Sequence, residues 1–358
     1  MKQTIQDIIS KLHSNSRLSF DDALILWKEA PLWTLSQEAL RVKRQISHND
    51  VYYNRNFHIE PTNRCICECS FCSFRRDSSD PLSWDYSLDD ISRIALEHRG
   101  GQETEVHIVG GVHPNHDVYY YIEMLHRIKE ALPSIHIKAF TAIELRYMIE
   151  KAGLSLEQGL SLLKQAGLES IPGGGAEIFA PRVRTRLCPR KGSAEEWLEV
   201  HRVAHSLGID SNATILYGHI ETLEERIDHM LRIRSLQDET SMINAFIPLK
   251  FRRSNNALSH VEESSVIDDM RTMAMSRLIL DNIPHMKSYW VMYGKQTMEM
   301  ALMFGADDID GTIEDSTKIY SMAGAEEQRP RLTIEQIQDI CSSLQMRAVE
   351  RDTHYNIL

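Results

Sequence analysis

The sequence predicts an α/β fold: a (β/α)8 barrel of the TIM type, preceded by a helical N-terminal extension. Short segments rich in β-branched and aromatic residues alternate with helical stretches about eight times. Asn-Gly and Asp-Gly hairpin signals between them are few. Alternating units of this kind build parallel sheets, and about eight of them over about 255 residues fit a barrel better than an open, doubly wound sheet. A partly open barrel of about six units remains an alternative.

Helix starts are well marked along the chain. A Ser or Thr side chain can accept from the backbone N–H three residues on, while an acidic or amide side chain there returns the hydrogen bond. Each such pair predicts the first turn of a helix. Pairs of this kind occur at Ser19/Asp22, Thr34/Gln37, Ser87/Asp90, Ser155/Gln158, Ser193/Glu196, Thr222/Glu225 and Thr333/Gln336.

Three regions follow from these elements. Residues 1–50 are predicted to form two or three helices ahead of the first strand, and residues 51–330 form the barrel. Residues 331–358 are predicted to form a closing helix, with Ile334 and Ile337 at helical spacing, and a frayed tail. The predicted strands are 57–60, 105–110, 136–142, 169–172, 211–217, 242–249, 287–293 and 307–311.

Composition and charge narrow the class of protein. The 358 residues include 40 Lys and Arg against 51 Asp and Glu, a net charge of −11. Nucleic acid is a disfavoured partner, because counterion release needs clustered basic residues. No apolar run reaches the roughly 18 residues that span a bilayer, and Gln3, Asp7 and Lys11 interrupt the apolar core that a signal peptide needs. We expect a cytoplasmic protein that acts on a small molecule, without a nucleic-acid or membrane partner.

Four of the six cysteines lie within eight residues, directly after the first predicted barrel strand. Thiolate ligands suit zinc and iron–sulfur clusters. Structural zinc normally takes a second, separated ligand pair, which the chain does not offer, and the spacing differs from that of a bacterial ferredoxin. The segment instead contains C-x3-C-x2-C, formed by Cys65, Cys69 and Cys72, with Phe71 before the last cysteine. In a barrel it would lie at the C-terminal end of the strands, where active sites are built.

This cysteine segment resembles that of the radical S-adenosylmethionine (SAM) superfamily. The resemblance implies that Cys65, Cys69 and Cys72 hold a 4Fe–4S cluster whose fourth iron binds the amino and carboxylate groups of SAM. The reduced cluster would cleave SAM to a 5′-deoxyadenosyl radical. Cys67 is expected to point away from the cluster, and Cys188 and Cys341 are expected to be ordinary buried thiols. A zinc knuckle or a chance cysteine cluster is the alternative.

Two further features fit the same superfamily. Gly110 and Gly111, at the end of the second predicted barrel strand, correspond to the glycine turn whose backbone receives the amino group of SAM. Glycine suits this position because a Cβ would keep the backbone away from the ligand. By the same resemblance, Phe71 lies against the adenine.

Several longer segments resemble the aminofutalosine synthase family of the futalosine route to menaquinone. Sister enzymes of the superfamily share several of them, including the dehypoxanthine futalosine cyclase and the tyrosine-using synthase of deazaflavin biosynthesis. The sequence departs from the expected pattern at 241–243 and at 252–255, so substrate contacts near the sixth strand are open. The segments are 107–114 (HIVGGVHP), 137–144 (IKAFTAIE), 170–180 (SIPGGGAEIFA), 183–184, 211–222 (SNATILYGHIET), 236–240 (LQDET) and 246–249 (FIPL).

The resemblance implies a transferase reaction. The adenosyl radical would add to the vinyl carbon of 3-[(1-carboxyvinyl)oxy]benzoate, and aryl migration and loss of bicarbonate would give 6-amino-6-deoxyfutalosine. SAM is then consumed as a co-substrate, and an external one-electron reductant of the flavodoxin or ferredoxin type supplies the electron. One rival is the cyclase of the same pathway, which would abstract hydrogen and release 5′-deoxyadenosine. A rival of another class is a non-catalytic iron–sulfur or zinc module.

Residues near the predicted strand ends are the candidates for the remaining roles. Arg184 and Arg252 could bind the two substrate carboxylates, because a guanidinium donates two parallel hydrogen bonds. Glu144 and Glu177 could accept from the ribose hydroxyls of SAM, because an ionised carboxylate only accepts. A neutral histidine could manage protons in the reaction. The histidine candidates are His58, His113 and His219.

Overall fold

A computed structural model of the chain describes residues 4–312, 318–324 and 331–358. The strands are β1 (Asp50–Asn54), β2 (Asn56–Ile59), β3 (Glu105–Ile108), β4 (His136–Ala139), β5 (Ser170–Ile171), β6 (Asp210–Tyr217), β7 (Ile243–Lys250), β8 (His285–Met286), β9 (Asp308–Gly311) and β10 (Arg347–Glu350). The helices are α1 (Ile5–His13), α2 (Phe20–Glu29), α3 (Leu32–Ser47), α4 (Leu88–Glu97), α5 (Val118–Ala131), α6 (Ala142–Lys151), α7 (Leu156–Gln165), α8 (Pro181–Leu187), α9 (Ala194–Ser206), α10 (Leu223–Thr240), α11 (Val266–Ile279), α12 (Trp290–Tyr293), α13 (Lys295–Leu302), α14 (Lys318–Met322) and α15 (Ile334–Ser343).

The strands form a curled parallel sheet that makes a partial barrel. Strands β2 to β8 lie side by side in sequence order, each parallel to the next. A second parallel sheet has the order β10-β1-β9, and an isolated bridge between Lys287 and Asp308 connects the two. The predicted TIM-type α/β fold is confirmed in its partly open form, because the last predicted barrel strand, β9, joins the second sheet.

Most of the predicted helix starts are confirmed. Capping boxes begin α2, α4, α7, α9, α10 and α15 at the predicted residues. The prediction at Thr34/Gln37 is wrong, because α3 begins at Leu32, directly after Pro31, so Thr34 lies inside its first turn. The predicted strand 287–293 is also wrong, because β8 ends at Met286, Lys287 forms only an isolated bridge, and residues 290–293 form a helix. Its aromatic and β-branched residues form α12, all four residues of which are buried. The prediction failed because composition alone does not separate a buried strand from a buried helix.

The helical N-terminal extension packs on the barrel's outer helices. Helix α2 packs on α10, and α3 packs on α11. Trp27 of α2 is 4% exposed, and the guanidinium of Arg226 in α10 lies 5.9 Å from the centre of its ring. The first helices therefore form part of the layer that surrounds the sheet.

The C-terminal residues close the N-terminal end of the barrel, where a frayed tail was expected. Strand β10 pairs with β1, and the chain then turns beneath the sheet. Arg351 is fully buried and donates from Nη2 to Asp308 Oδ2 at 2.6 Å. Thr353 Oγ1 donates to Glu105 Oε2 at 2.6 Å, and the Tyr355 ring stacks on a histidine of β8 at 3.5 Å. These contacts join residues far apart in the chain, so no local pattern indicated them.

Replacing Arg351 by Met is expected to lower the free energy of unfolding by about 3–5 kcal/mol, because it leaves the buried Asp308 carboxylate without its partner. The double variant Arg351→Met/Asp308→Asn should recover most of that loss. Chemical denaturation of the three proteins measures the difference. Exposed Arg93 gives the matched control, since Arg93→Met should change stability by no more than about 0.5 kcal/mol. Equal unfolding midpoints for Arg351→Met and Arg93→Met would contradict the prediction.

Candidate active site

A cavity of ≈ 280 Å³ opens at the C-terminal end of the strands and continues into the barrel. The loop between β2 and α4 carries the cysteine segment to one side of its opening. The Gly110-Gly111 turn follows β3 beside it. This is the end of a parallel α/β barrel at which loops assemble active sites.

Three of the four clustered cysteines line this cavity. They are the predicted ligands Cys65, Cys69 and Cys72, whereas Cys67 is 1% exposed and packs in the hydrophobic core. The Cys67 N–H lies 3.4 Å from Cys65 Sγ. Hydrogen bonding from the Cys67 thiol and N–H lowers the pKa of Cys65 to about 6, against the effect of burial. The same hydrogen bond, with burial, raises the pKa of Cys67. Cys67 thus donates toward a candidate ligand from behind the loop.

The backbone of the cysteine loop is fixed by neighbouring loops. Arg75 Nε donates to the carbonyl of Cys65 at 2.9 Å, and Arg190 Nη1 donates to the carbonyl of Ile66 at 3.1 Å. The Ile66 N–H in turn donates to the carbonyl of Val112 at 3.1 Å. These bonds fix the backbone of the cysteine loop at Cys65 and Ile66 against the neighbouring loops.

Gly111 lies directly against this loop. Its N–H donates to the carbonyl of Thr62 at 2.7 Å. A Cβ at Gly111 would overlap the carbonyl group of Arg64 and lie 3.0 Å from the Cβ of Cys65. Glycine is therefore required here by the close approach of two backbones.

Glu144 supports the glycine turn from behind. One carboxylate oxygen accepts from the Gly110 N–H at 3.1 Å, and the other accepts from the N–H and hydroxyl of Thr141, both at 2.7 Å. Burial raises the pKa of Glu144 to about 7, although these hydrogen bonds oppose the shift. The side chain is absent from the cavity lining. This predicted ribose acceptor therefore contacts the backbone of the glycine turn and not the cavity.

Glu177 and Phe71 do line the cavity, and both contact Lys191. The Lys191 ammonium lies 2.6 Å from Glu177 Oε1 and 5.3 Å from the centre of the Phe71 ring. Burial alone would lower the pKa of Lys191. The sulfur of Cys69 and the Glu177 carboxylate nevertheless keep this pKa well above its ordinary value. Sequence reasoning missed this lysine, because nothing in its local pattern separates it from a surface residue.

The two candidate arginines have different surroundings. Arg184 is buried outside the cavity and donates to the carbonyls of Ala176 at 2.7 Å and Gly192 at 2.9 Å, so it holds the chain around the glycine-rich segment. Arg252 lines the cavity and donates to the carbonyl of Gly324 at 3.1 Å. Its buried Nε has no hydrogen-bond partner among the residues that the structure describes.

The three candidate histidines are not brought together. His58 lies on β2 and lines the cavity. His113 lies outside the cavity lining, with Nε2 3.2 Å from Asp85 Oδ2. His219 is also outside, with its side chain fully buried and Nδ1 2.7 Å from Glu221 Oε2. Nearby carboxylates already bind the last two, so His58 alone of the three faces the site.

A layer of charged and polar side chains forms the inner end of the cavity, and sequence reasoning missed it. Lys138 Nζ lies 2.7 Å from Glu105 Oε2, and Lys287 Nζ lies 2.6 Å from Asp310 Oδ1. We call these four residues, with His58 and His107, the cavity floor. They occupy alternate positions on their strands, where apolar neighbours face the helices. That alternation of charged with apolar residues was the signal in the sequence.

The donor set at the opening fits a 4Fe–4S cluster with one open iron. Within the described ranges, three cysteines line the cavity, which leaves one corner of a four-iron cube for another ligand. Cys188 and Cys341 are buried thiols outside the lining, as expected. A backbone turn without side chains lies beside the loop at Gly110-Gly111, where a ligand of the open iron could approach.

A partial α/β barrel with this cysteine loop after its first barrel strand is the architecture of radical SAM enzymes, which use a 4Fe–4S cluster and SAM. Comparison with known families agrees. Residues 59–233 match the Radical SAM superfamily, and residues 240–358 match the CofH/MqnC C-terminal region.

Two relatives cover nearly the whole chain. An aminodeoxyfutalosine synthase of Thermus thermophilus is 40% identical, over 97% of this chain and 94% of its own length. One from Streptomyces coelicolor is 37% identical, over 99% and 94%. The chain belongs to the aminodeoxyfutalosine synthase family of the radical SAM superfamily.

Solved structures confirm the fold. Methylornithine synthase (PylB) superposes with a TM-score of 0.75 at 17% identity, covering 95% of this chain and 97% of the other. At that identity the similarity concerns the fold alone. Within the described residues, every helix is too short or too polar to cross a membrane.

Proposed function

We propose that the protein joins the adenosyl group of SAM to 3-[(1-carboxyvinyl)oxy]benzoate and forms 6-amino-6-deoxyfutalosine, with methionine and bicarbonate as the other products. Water supplies the additional oxygen of bicarbonate. The observation that carries the proposal is the three-cysteine cavity in a chain similar over its whole length to aminodeoxyfutalosine synthases. Once bound and reduced by one electron, the cluster would supply the adenosyl radical from SAM.

The residues at the cavity opening would bind the cluster and SAM. Cys65, Cys69 and Cys72 provide the three thiolates. The backbone at Gly110-Gly111 would receive the amino group of SAM, because no side chain intervenes there. Phe71 would lie against the adenine. Glu177 would accept from the ribose hydroxyls while Lys191 fixes its orientation.

Arg252 is the proposed partner of the substrate carboxylate nearest the opening. It follows β7 at the C-terminal end of the barrel, faces the cavity, and has an Nε–H that no described residue accepts. A charge-assisted hydrogen bond from a guanidinium is stronger than one between neutral groups. Arg184 has no such role in the proposal, because backbone carbonyls already occupy its donors. His58 remains the candidate for proton transfer.

We also propose a cytoplasmic location and an external one-electron reductant of the flavodoxin or ferredoxin type. The reaction needs an electron that the protein's side chains do not supply. All six cysteines of the described residues are free thiols, as a reducing compartment maintains them.

An anaerobic incubation tests the proposed reaction. It contains reconstituted protein, dithionite, SAM and 3-[(1-carboxyvinyl)oxy]benzoate, with mass spectrometry of the products and an identical mixture without dithionite as the control. We expect a product that combines the adenosine and arene moieties, and methionine in equal amount. Release of 5′-deoxyadenosine without an adduct would contradict the transferase and direct attention to the cyclase reaction with dehypoxanthine futalosine. No consumption of SAM would indicate a non-catalytic module.

A further inference from the structure

We propose that the cavity floor binds the ring carboxylate of the arene substrate, through Lys138, Lys287 and His107. The inference rests on the proposed function, and it identifies the residues that select a substrate with a carboxylate on its ring. The floor lies inside the barrel, at the far end of the cavity from the cysteines and Arg252.

Strand register places the donors in one layer. His58, His107 and Lys138 are directly opposite one another on β2, β3 and β4, and Lys287 enters from beyond β8. An ammonium group can donate three hydrogen bonds. Among the described residues, each of the two lysines has one hydrogen-bond acceptor, the carboxylate of its ion pair. Both therefore keep N–H groups for a ligand.

His107 provides an independent indication of a missing partner. Its Nε2 is buried and has no hydrogen-bond partner among the residues that the structure describes, although the side chain lines the cavity. Burial, with a smaller effect of His58, lowers the pKa of His107 to about 3, so the ring is neutral and can donate one hydrogen bond. An unpaired buried polar atom is costly, and a carboxylate oxygen at this position would remove that cost.

The middle of the cavity explains which ligand reaches the floor. Beyond the floor, apolar side chains form much of the cavity wall, with Val109, Leu216, Ile247 and Leu249 among them, and Glu60, Asn212 and Thr214 are polar members of the same lining. An aromatic ring suits this section, and a carboxylate suits each end. The enol ether must lie near the adenosyl group at the opening in order to react. The carboxylate on the ring is therefore the one that reaches the floor.

Formal charges on the floor do not explain binding by themselves. Lys138 and Lys287 are balanced by Glu105 and Asp310. The attraction comes from the unshared N–H groups, which act in a low-dielectric interior where hydrogen bonds to an ion are strong. If the two ion pairs only filled the barrel, the floor would not distinguish a carboxylate from a neutral group of the same shape.

Equilibrium binding to the cluster-loaded enzyme, with SAM and without reductant, tests the inference. Anaerobic calorimetry compares 3-[(1-carboxyvinyl)oxy]benzoate with the analogue whose ring carboxylate is a carboxamide. The wild type should bind the carboxylate about 10- to 100-fold more tightly than the amide. That ratio should fall toward one in Lys138→Met/Glu105→Gln and in Lys287→Met/Asp310→Asn, which remove each ion pair as a unit.

Two further variants keep the test decisive. His107→Leu leaves both ion pairs in place and should still lower the ratio several-fold. Lys43→Met is the matched control, because Lys43 is fully buried outside the cavity and should leave the ratio unchanged. Cluster content and the unfolding temperature are recorded for every variant, and His107→Leu decides the matter if a pair variant does not fold.

The outcomes separate this inference from the proposed function. A wild type that forms the adduct but binds acid and amide equally overturns the inference and leaves the function intact. An unchanged ratio in His107→Leu and in a folded pair variant also overturns it. A wild type that binds neither arene and forms no adduct contradicts the proposed function, and the inference with it.

Discussion

Alanine at Cys65, Cys69 or Cys72 is expected to abolish both the brown colour of the reconstituted protein and its activity, whereas Cys67→Ala should keep both. The first three line the cavity, and Cys67 is buried behind the loop. Loss of one thiolate leaves two ligands for a four-iron cube, too few to retain it against solvent. Iron and sulfide content, visible absorption and SAM turnover measure the result.

Cys67→Ala is the informative member of this series. It removes a buried thiol but keeps the Cys67 N–H that donates to Cys65, so no loss of iron is expected. Cys341→Ala is the matched control, since Cys341 is equally buried and lies outside the cavity. If Cys67→Ala loses the cluster while Cys341→Ala keeps it, the ligand assignment is wrong.

Gly111→Val is expected to abolish cluster retention and SAM binding in a protein that still folds. The new Cβ would overlap the carbonyl group of Arg64, whose carbon and oxygen are backbone atoms that cannot rotate away. The cysteine loop must then shift, which separates its thiols from the positions that Arg75 and Arg190 now fix. Circular dichroism, iron content and calorimetric titration with SAM separate folding from binding.

Two alanine variants control for the mere addition of a Cβ. At Gly110 the nearest atom to an added Cβ is the Thr62 carbonyl oxygen at 3.0 Å, so Gly110→Ala should have a smaller effect. At Gly153 a Cβ meets open space, and the positive φ of 71° costs stability only locally. SAM binding by Gly111→Val as tight as by Gly153→Ala would contradict the proposed role of the turn.

The sequence was sufficient for the alternation of strands and helices up to β7 and for the cysteine loop, because both depend on local patterns. The contacts of Glu144 and Arg184 could not be predicted from the sequence in the same way. Each lies near a strand end, but the direction of its side chain depends on tertiary packing, which cannot be derived from the local sequence. Glu144 did carry a signal: with Thr141 it forms the same Thr-x-x-Glu pattern that marks other helix starts, and the structure shows that capping box.

The cavity floor was harder to foresee for a different reason. Lys138 and Lys287 are separated along the chain by most of the barrel, and their ion-pair partners come from two further strands. Charged residues are unfavourable within buried strands. They are stabilised here only because charged residues from distant strands form ion pairs with them. Such violations of local rules are expected at functional sites.

The pairing of β1 with β10 has a consequence for biosynthesis. Asp50 accepts from Arg347 across 297 positions of the chain. At a translation rate of about 5–20 residues per second, an early strand waits roughly 15–60 s for its partner. Until residue 347 has been synthesised, the β10-β1-β9 sheet therefore lacks one of its two outer strands. The contacts that Arg351 and Thr353 make beneath the barrel can form only after that point.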